Sequence, residues 1–444
     1  VKVEVQLPTL HADQVKAYQK PGRFKAVRCG RRWGKTEMGK TVACDGAVKK
    51  EPIGWFAPSY KILAEAYNEI AEVLEPVKKS SSKTEGVIRT VGGGRIDFWS
   101  LENERAGRSR KYKKVIIDEA AFTDPNMMDI WERSIKPTLY DMSGTALVLS
   151  NTNGADPKNF LWRICNEPKF GFVEYHAPTH NNPLLPERLF GESDADWQVR
   201  RALELKKLQD ENHPLVYAQE YLAQFVDWSG VAFFERNKLL IDDGKGNYAP
   251  LVTPTAVDGV FAIIDSAVKT GSENDGTAVI YFAYCPRGKY PLVILDWDVL
   301  QIEGALLETW LPTVFQNLET LARETGARAG SLGALIEDKS SGTILLQQAI
   351  RRGWKAAAID SKLTAMGKDE RAISVSGYVY RGMVKISARA HSKVKIYKEQ
   401  SGNHLTMQVE SFRIGDKKAA KRADDLLDCF CYGIAVALGN SGGF

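Results

Sequence analysis

An α/β chain built from two strand-rich regions is what the sequence predicts, and three observations predict it. Between residues 24 and 154, short apolar runs alternate with amphipathic stretches of helical length. From residue 257 onward a second set of such runs begins. Between the two, residues 155–254 carry recurrent prolines, turn residues and two helical stretches. Strands that alternate with helices point to a parallel sheet, because parallel neighbours need a long crossover return. The length of 444 residues suits two or three domains, so the expected division is residues 1–185, a helical connector at 186–254, and residues 255–444.

In the first region, strands are expected at residues 24–28 (FKAVR), 54–57 (GWFA), 95–99 (RIDFW), 114–117 (KVII) and 146–150 (ALVLS), with helices at 36–49 and 60–74. In the connector, residues 194–210 and 214–226 read as helices. In the second region, 260–264 (VFAII), 278–283 (AVIYFA), 292–295 (LVIL) and 334–336 (ALI) read as strands, and 304–325 and 342–352 as helices. The tail at 439–444 (GNSGGF) is a loose Gly/Ser segment.

Composition excludes several classes. No apolar run approaches the roughly 20 residues of a membrane span, and the first residues lack a basic-then-apolar signal pattern. A protein free of the membrane, working inside the cell, is expected. Six scattered cysteines form no CxxC pair, so neither a disulfide framework nor a zinc site is expected. Net charge is +5, too mild to argue for a nucleic-acid partner by itself. Local basic density is higher at residues 105–114 (RAGRSRKYKK) and 417–422 (KKAAKR).

The chemistry starts at residues 29–36, CGRRWGKT, between a strand and a helix. A P-loop needs that context, since loop and helix N–H groups cradle phosphate oxygens. Gly30, Arg31, Arg32 and Gly34 would line the loop, Lys35 would reach the terminal phosphates, and the Thr36 hydroxyl would sit on Mg²⁺. The usual pattern wants glycine where Cys29 stands; here Gly30 comes one later. Residues 114–120, KVIIDEA, describe a buried strand that delivers two acids at its carboxyl end, where α/β ligands bind. Asp118 would hold Mg²⁺ through water, and Glu119 would polarise the attacking water. A third strand ends in SNTNG (150–154), which places Asn151 to sense the γ-phosphate of ATP. Gln14 is spaced to read the adenine. Arg105, Arg108, Arg110, Arg31 and Arg32 all compete for the role of an arginine finger.

In the second region, acids stand at suggestive points. Asp265 ends FAIID, Asp275 opens the next strand, and Glu337 and Asp338 end ALIED. Asp424, Asp425 and Asp428 lie on a helix, where 424 and 428 are one turn apart on one face, as are 425 and 428. Clustered acids repel one another and call for cations, and oxygen ligands favour Mg²⁺ or Mn²⁺. Two such ions would clamp an in-line attack by water on a phosphodiester.

In order and spacing, GRRWGKT, VIIDEAA, SNTNG, YAQEYLAQF with a following GVAF, FAIIDSA, IEDKSSG, GKDERA and KRADDLLD resemble the large terminase subunits of tailed bacteriophages and related viruses. The resemblance spans nearly the whole chain. It implies an N-terminal ATPase that drives double-stranded DNA into a preformed capsid. It also implies a C-terminal ribonuclease H-like nuclease that cuts concatemeric DNA. Asp265 and Glu337 match the first two acids of the family site and the Asp424–Asp425 pair the third, with Asp338 and Asp428 assisting; which carboxylate of each neighbouring pair holds metal stays open. Implied partners are DNA, a small terminase subunit and the portal protein. The implied assembly is a ring on the portal and a monomer when free, in the host cytoplasm and docked on the procapsid. Two other readings compete: a helicase-like or remodelling ATPase with a docking domain, and a recombinase-type nuclease with a regulatory nucleotide site.

Overall fold

A computed structural model describes residues 4–228, 233–266, 276–301, 307–338, 341–415 and 424–439. Asp275, the basic run at 417–422, the start of GVAF and the 440–444 tail therefore lie outside the described residues. The chain divides into two compact units: Val1–Gln209 with Pro214–Asp227, and Asp210–His213 with Trp228–Phe444. The connector expected at 186–254 is not a body of its own. Its helix Asp194–Glu211 carries the chain to the divide, and the helix Pro214–Glu220 returns to the first unit.

The first unit is built on an eight-stranded sheet. Its strands are β1 (Phe24–Cys29), β2 (Pro52–Ala57), β3 (Lys78–Ser82), β4 (Val87–Thr90), β5 (Arg95–Ser100), β6 (Lys114–Asp118), β7 (Thr145–Ser150) and β8 (Phe172–Ala177). They run in the order β3-β4-β5-β2-β6-β7-β1-β8. All the pairs from β5 to β8 are parallel, and only the β3 and β4 edge is antiparallel. The central strands are apolar on both faces, as a sheet covered on both sides requires. One layer of core contains Val27, Trp55, Ile116 and Leu149; the other contains Ala26, Phe56, Ile117 and Val148. Alternate residues of the same four strands thus feed opposite layers.

The second unit carries a small ribbon, β9 (Ile241–Asp242) and β10 (Tyr248–Ala249), and a six-stranded mixed sheet. The sheet contains β11 (Gly259–Asp265), β12 (Thr277–Tyr284), β13 (Leu292–Leu300), β14 (Ser331–Ile336), β15 (Ala356–Ala358) and β16 (Val384–Ile386), in the order β15-β14-β11-β12-β13-β16. Strands β11, β12 and β13 form an antiparallel meander, while β14 and β15 join β11 in parallel. That is the ribonuclease H-like order, extended by β16. A last hairpin, β17 (Lys395–Tyr397) and β18 (Gln400–Gly402), stands apart from the sheet. The amphipathic helix Leu307–Glu324 packs on β11 and β14 through Leu311, Val314, Leu318 and Leu321. The apolar helix Asp425–Leu438 lies on β11, β12 and β13, where Gly433 meets Phe282.

All six cysteines are free thiols. Among the described residues no helix is long and apolar enough to cross a membrane.

Candidate active sites

Strand order brings the first constellation together. β7 lies between β1 and β6, and all three run parallel. The register sets Arg28 beside Ser150 and Asp118 beside Leu149, so the carboxyl ends of the three strands finish in a row. The CGRRWGKT loop leaves β1, Asp118 ends β6 with Glu119 directly after it, and Asn151 follows β7.

Loop geometry explains the displaced glycine. Cys29 is still in β1, buried, with its thiol on the Ser150 carbonyl at 3.6 Å, and burial pushes that thiol up to about 12. Gly30 is the residue under constraint. Its N–H donates to the Ala177 carbonyl at 2.9 Å. A Cβ there would stand 2.3 Å from both Thr179 Oγ1 and the Tyr221 carbonyl. The loop then turns through positive φ at Arg32 and Gly34, and the helix Lys35–Val48 begins.

Within this frame Lys35 Nζ pairs with Glu119 Oε1 at 2.8 Å, and Thr36 Oγ1 donates to Asp118 Oδ2 at 3.1 Å. Burial pulls the Lys35 ammonium down, but Glu119, with help from Asp118, outweighs it and the net shift is upward. Asp118 is buried and its carboxyl is pushed up to about 6, by loss of water first and then by Glu119, against the pull of Lys35 and Thr36. Glu119 has a positive φ, and its N–H donates to Asp118 Oδ1 at 3.0 Å, which turns the two adjacent acids in different directions. Asn151 is buried, and its Oδ1 meets no partner among the described residues.

Gln14, expected at the adenine, contacts the loop itself. It is buried, its Nε2 donates to the Gly34 carbonyl at 2.8 Å, and its Oε1 accepts from His11 N–H at 2.9 Å. Its amide braces the P-loop. Trp33 is anchored from the same side, with Nε1 donating to Asp13 Oδ2 at 2.9 Å. Of the candidate fingers, Arg31 pairs with Glu220 at 2.6 Å, Arg108 donates to Ser134 Oγ at 3.0 Å, and Arg110 lies 3.7 Å from Asp97. Arg32 and Arg105 are exposed.

Gln219 and Glu220 were missed as site residues. Gln219 Oε1 accepts from Gly154 N–H at 3.1 Å, and Thr152 Oγ1 donates to the Gln219 carbonyl at 3.0 Å. The segment YAQEYLAQF therefore locks SNTNG and the P-loop together. Its polar positions on an otherwise apolar stretch were the available signal.

The second constellation uses the carboxyl ends of two adjacent parallel strands and one helix start. Asp265 ends β11 and Glu337 follows β14, with Glu337 N–H on the Ile264 carbonyl at 3.1 Å. The Asp265 carboxyl is held well above the ordinary range, by burial first and then by Asp428, Glu337 and Asp425. Those four acids are therefore brought together. Asp425 is buried, accepting from Gly276 N–H at 3.0 Å and from the Tyr397 hydroxyl at 3.1 Å. Asp428 accepts from Arg371 Nη1 at 2.5 Å, and Asp424, the helix cap, pairs with Lys368. Gln408 Oε1 accepts from both Leu426 and Leu427 N–H, which closes the start of that helix.

Asp338 stands differently. It is exposed and accepts from Thr343 Oγ1 at 2.6 Å. Gly342, in IEDKSSG, has a packing reason, since a Cβ there would meet the Glu337 carbonyl at 1.8 Å. Among the described residues, no three acidic, histidine or cysteine side chains already stand as a ligand set for an ion. The donors are nonetheless of the right kind. Three carboxylates that raise the proton affinity of Asp265 form with it a site whose repulsion a hard cation relieves.

No family model matches the sequence, and no curated protein does. Solved structures do match. The large terminase of a thermophilic bacteriophage, in complex with ATP-γ-S, matches with a TM-score of 0.61 over 96% of this chain and 98% of that one, at 12% identity. The large terminase of the same bacteriophage in complex with ADP matches with a TM-score of 0.59 over 96% and 99%, also at 12% identity. The chain has the large-terminase fold. Both of its sheets are present: a mostly parallel one with the CGRRWGKT loop at its carboxyl edge, and a ribonuclease H-like one with acids at its own. At this identity the likeness is one of fold, so the chemistry rests on the residues described above.

Proposed function

We propose that this chain is the ATP-driven motor and nuclease of a viral DNA-packaging machine. It would move double-stranded DNA into a procapsid and cut concatemeric DNA. The observation that carries the reading is the pairing, in one chain of large-terminase fold, of two chemically distinct edges. One is Lys35–Thr36 with Asp118–Glu119, and the other is the gathering of Asp265, Glu337, Asp425 and Asp428.

In the first unit, loop N–H groups and Lys35 would bind the ATP phosphates, and Thr36 and Asp118 would hold Mg²⁺. Glu119 would take the proton of the attacking water while Asn151 senses the γ-phosphate. That the thermophilic bacteriophage's large terminase is seen with ATP-γ-S and with ADP supports a nucleotide at the equivalent edge. In the second unit, Asp265, Glu337 and Asp425 would hold Mg²⁺ or Mn²⁺, with Asp428, fixed by Arg371, or Asp424, once released from Lys368, completing the set. Such ions, when bound, supply the charge that activates water and stabilises the leaving oxygen of a phosphodiester. Asp338 would act from outside the cluster. A small terminase subunit, the portal protein and a ring of copies on the portal complete the proposed assembly, which works in the host cytoplasm and on the procapsid.

The test is plasmid cleavage by the purified chain with Mg²⁺ or Mn²⁺, beside Asp265→Ala and an EDTA control, with ATP hydrolysis followed in the same samples. Metal-dependent cutting that disappears in Asp265→Ala, with hydrolysis retained, supports the reading. Cutting that survives in Asp265→Ala removes the assigned nuclease site. Hydrolysis without any cutting turns the second unit into a docking domain.

A further inference from the structure

The helix Lys368–Tyr380, which opens with GKDERA, packs against the helix Asp425–Leu438. Two cations one turn apart, Lys368 and Arg371, meet two acids one turn apart, Asp424 and Asp428. The two pairs are not alike. Lys368 is partly exposed, whereas the Arg371 side chain is only 7% exposed, so its charge is held away from water.

The surroundings of Arg371 are built. Nη1 donates to Asp428 Oδ1 at 2.5 Å and Nη2 to the Met366 carbonyl at 3.1 Å. The guanidinium lies over the Tyr432 ring, with Cζ 4.2 Å from its centroid. Tyr432 is fully buried, and its hydroxyl donates to Glu337 Oε1 at 3.1 Å. Residues 428 and 432 are one helical turn apart, so a single guanidinium reaches both. One side of it fixes Asp428 directly, and its flat face fixes the ring that holds Glu337. These are two of the four acids gathered at the nuclease edge, and they come from different elements of the fold.

A buried ion pair is a weak source of stability, because desolvation offsets most of the attraction. An arrangement that costs so much desolvation and reaches two acids is better explained by what it orders. We infer that Arg371 and Tyr432 are positioning residues that hold Asp428 and Glu337 in place for divalent-ion binding at the acid cluster. The inference rests on the nuclease reading above. A lysine cannot replace the arginine fully, because it lacks both the planar face that stacks and the fork that reaches two acceptors.

The test uses two substitutions that leave the net charge unchanged, Arg371→Lys and Tyr432→Phe, in the full chain. Mn²⁺ binding is followed without nucleotide by the loss of the free-ion EPR signal, and the part abolished by Asp265→Ala defines the acid cluster. Outer-shell partners are worth about 10–100-fold in metal affinity. Each variant is expected to weaken the Asp265-dependent binding about tenfold. Cutting should recover toward the wild-type maximum at saturating Mn²⁺, and ATP hydrolysis should be unchanged. A merely structural role would lower the unfolding temperature and leave the ion affinity where it was. Unshifted Asp265-dependent binding in both variants, against a wild type that binds and cuts, overturns the inference alone. A wild type with no Asp265-dependent binding and no cutting overturns the nuclease reading and the inference with it.

Discussion

Lys35 Nζ lies 2.8 Å from Glu119 Oε1, so the cation that would grip the terminal phosphates and the carboxylate that would accept a proton are paired with each other. A bound nucleotide would compete with Glu119 for this lysine. Lys35→Ala should take ATP hydrolysis to background and leave DNA cutting largely intact. Glu119→Gln should lower hydrolysis by about 10²–10⁴-fold, the usual worth of a positioned general base. It should keep nucleotide affinity, since Lys35 then loses a competing partner. Phosphate release and binding of a fluorescent nucleotide measure the two effects. Hydrolysis within tenfold of wild type in Glu119→Gln would remove Glu119 from the base role.

Gln14 braces the Gly34 carbonyl and the His11 N–H with the two ends of one buried amide. Gln14→Ala leaves both groups without their partner, at a cost of about 1–3 kcal/mol each where they stay buried. Because the loss falls on the phosphate loop, ATP and GTP affinity should fall by the same factor. Competition binding with both nucleotides decides it. A loss confined to ATP would return Gln14 to the adenine.

The legible parts of this chain were those with a strong local signature. KVIID and CGRRWGKT announced a buried strand end and a glycine-bearing loop between a strand and a helix. The structure places them in β6 and at the β1–helix turn, with the helix expected at 36–49 found at Lys35–Val48. FAIID and ALIED announced the two acid-bearing strands in the same way, and these are β11 and β14. What escaped lacks such a signature. β3 is KKSSS, an edge strand with no buried residue, and β8 presents mostly half-buried residues, so neither shows a hydrophobic period. Glu220 and Gln219 reach Arg31 and Gly154 across more than 60 residues of chain. Arg371 and Tyr432 join elements equally far apart. Spacing cannot express such partnerships, because only the packed sheet and helices bring them together. The stretch expected as a connector divides between the two units: Pro214–Asp227 goes with the first, and the residues from Trp228 on with the second.

The Asp118 carboxyl, pushed up to about 6, gives the nucleotide site a pH dependence. A folded-state value above that of the unfolded chain means that folding takes up a proton across the window from roughly pH 4 to 6. This contribution to stability is full below that window and is lost as the pH rises through 6. Mg·ATP needs the ionised carboxylate, so its binding must expel the same proton below pH 6. The rise in unfolding temperature on adding Mg·ATP should be full at about pH 7.5 and shrink below about pH 6. In Asp118→Asn the rise should be small throughout and lack that step. A wild-type rise that is flat down to about pH 5 would show that the proton on Asp118 does not compete with Mg·ATP.

Cys29 and Gly30 invite opposite expectations from a standard P-loop pattern and from this structure. The pattern makes the position of Cys29 the glycine. The structure makes it a buried strand residue whose thiol touches the Ser150 carbonyl, and puts the close approach at Gly30. Cys29→Ala should therefore cost about 1 kcal/mol or less of stability and leave hydrolysis near wild type. Gly30→Ala must relieve clashes with both Thr179 and the Tyr221 carbonyl, each 2.3 Å from the new Cβ, and the backbone oxygen has no rotamer to escape into. Overpacking of this kind costs about 1–3 kcal/mol. Here it would also shift the loop proposed to hold the phosphates. Thermal unfolding should show first-unit destabilisation in Gly30→Ala, and nucleotide binding should weaken with it. A Gly30→Ala protein with wild-type affinity, beside a Cys29→Ala protein that has lost it, would mean that the phosphates are cradled one residue earlier than this loop places them.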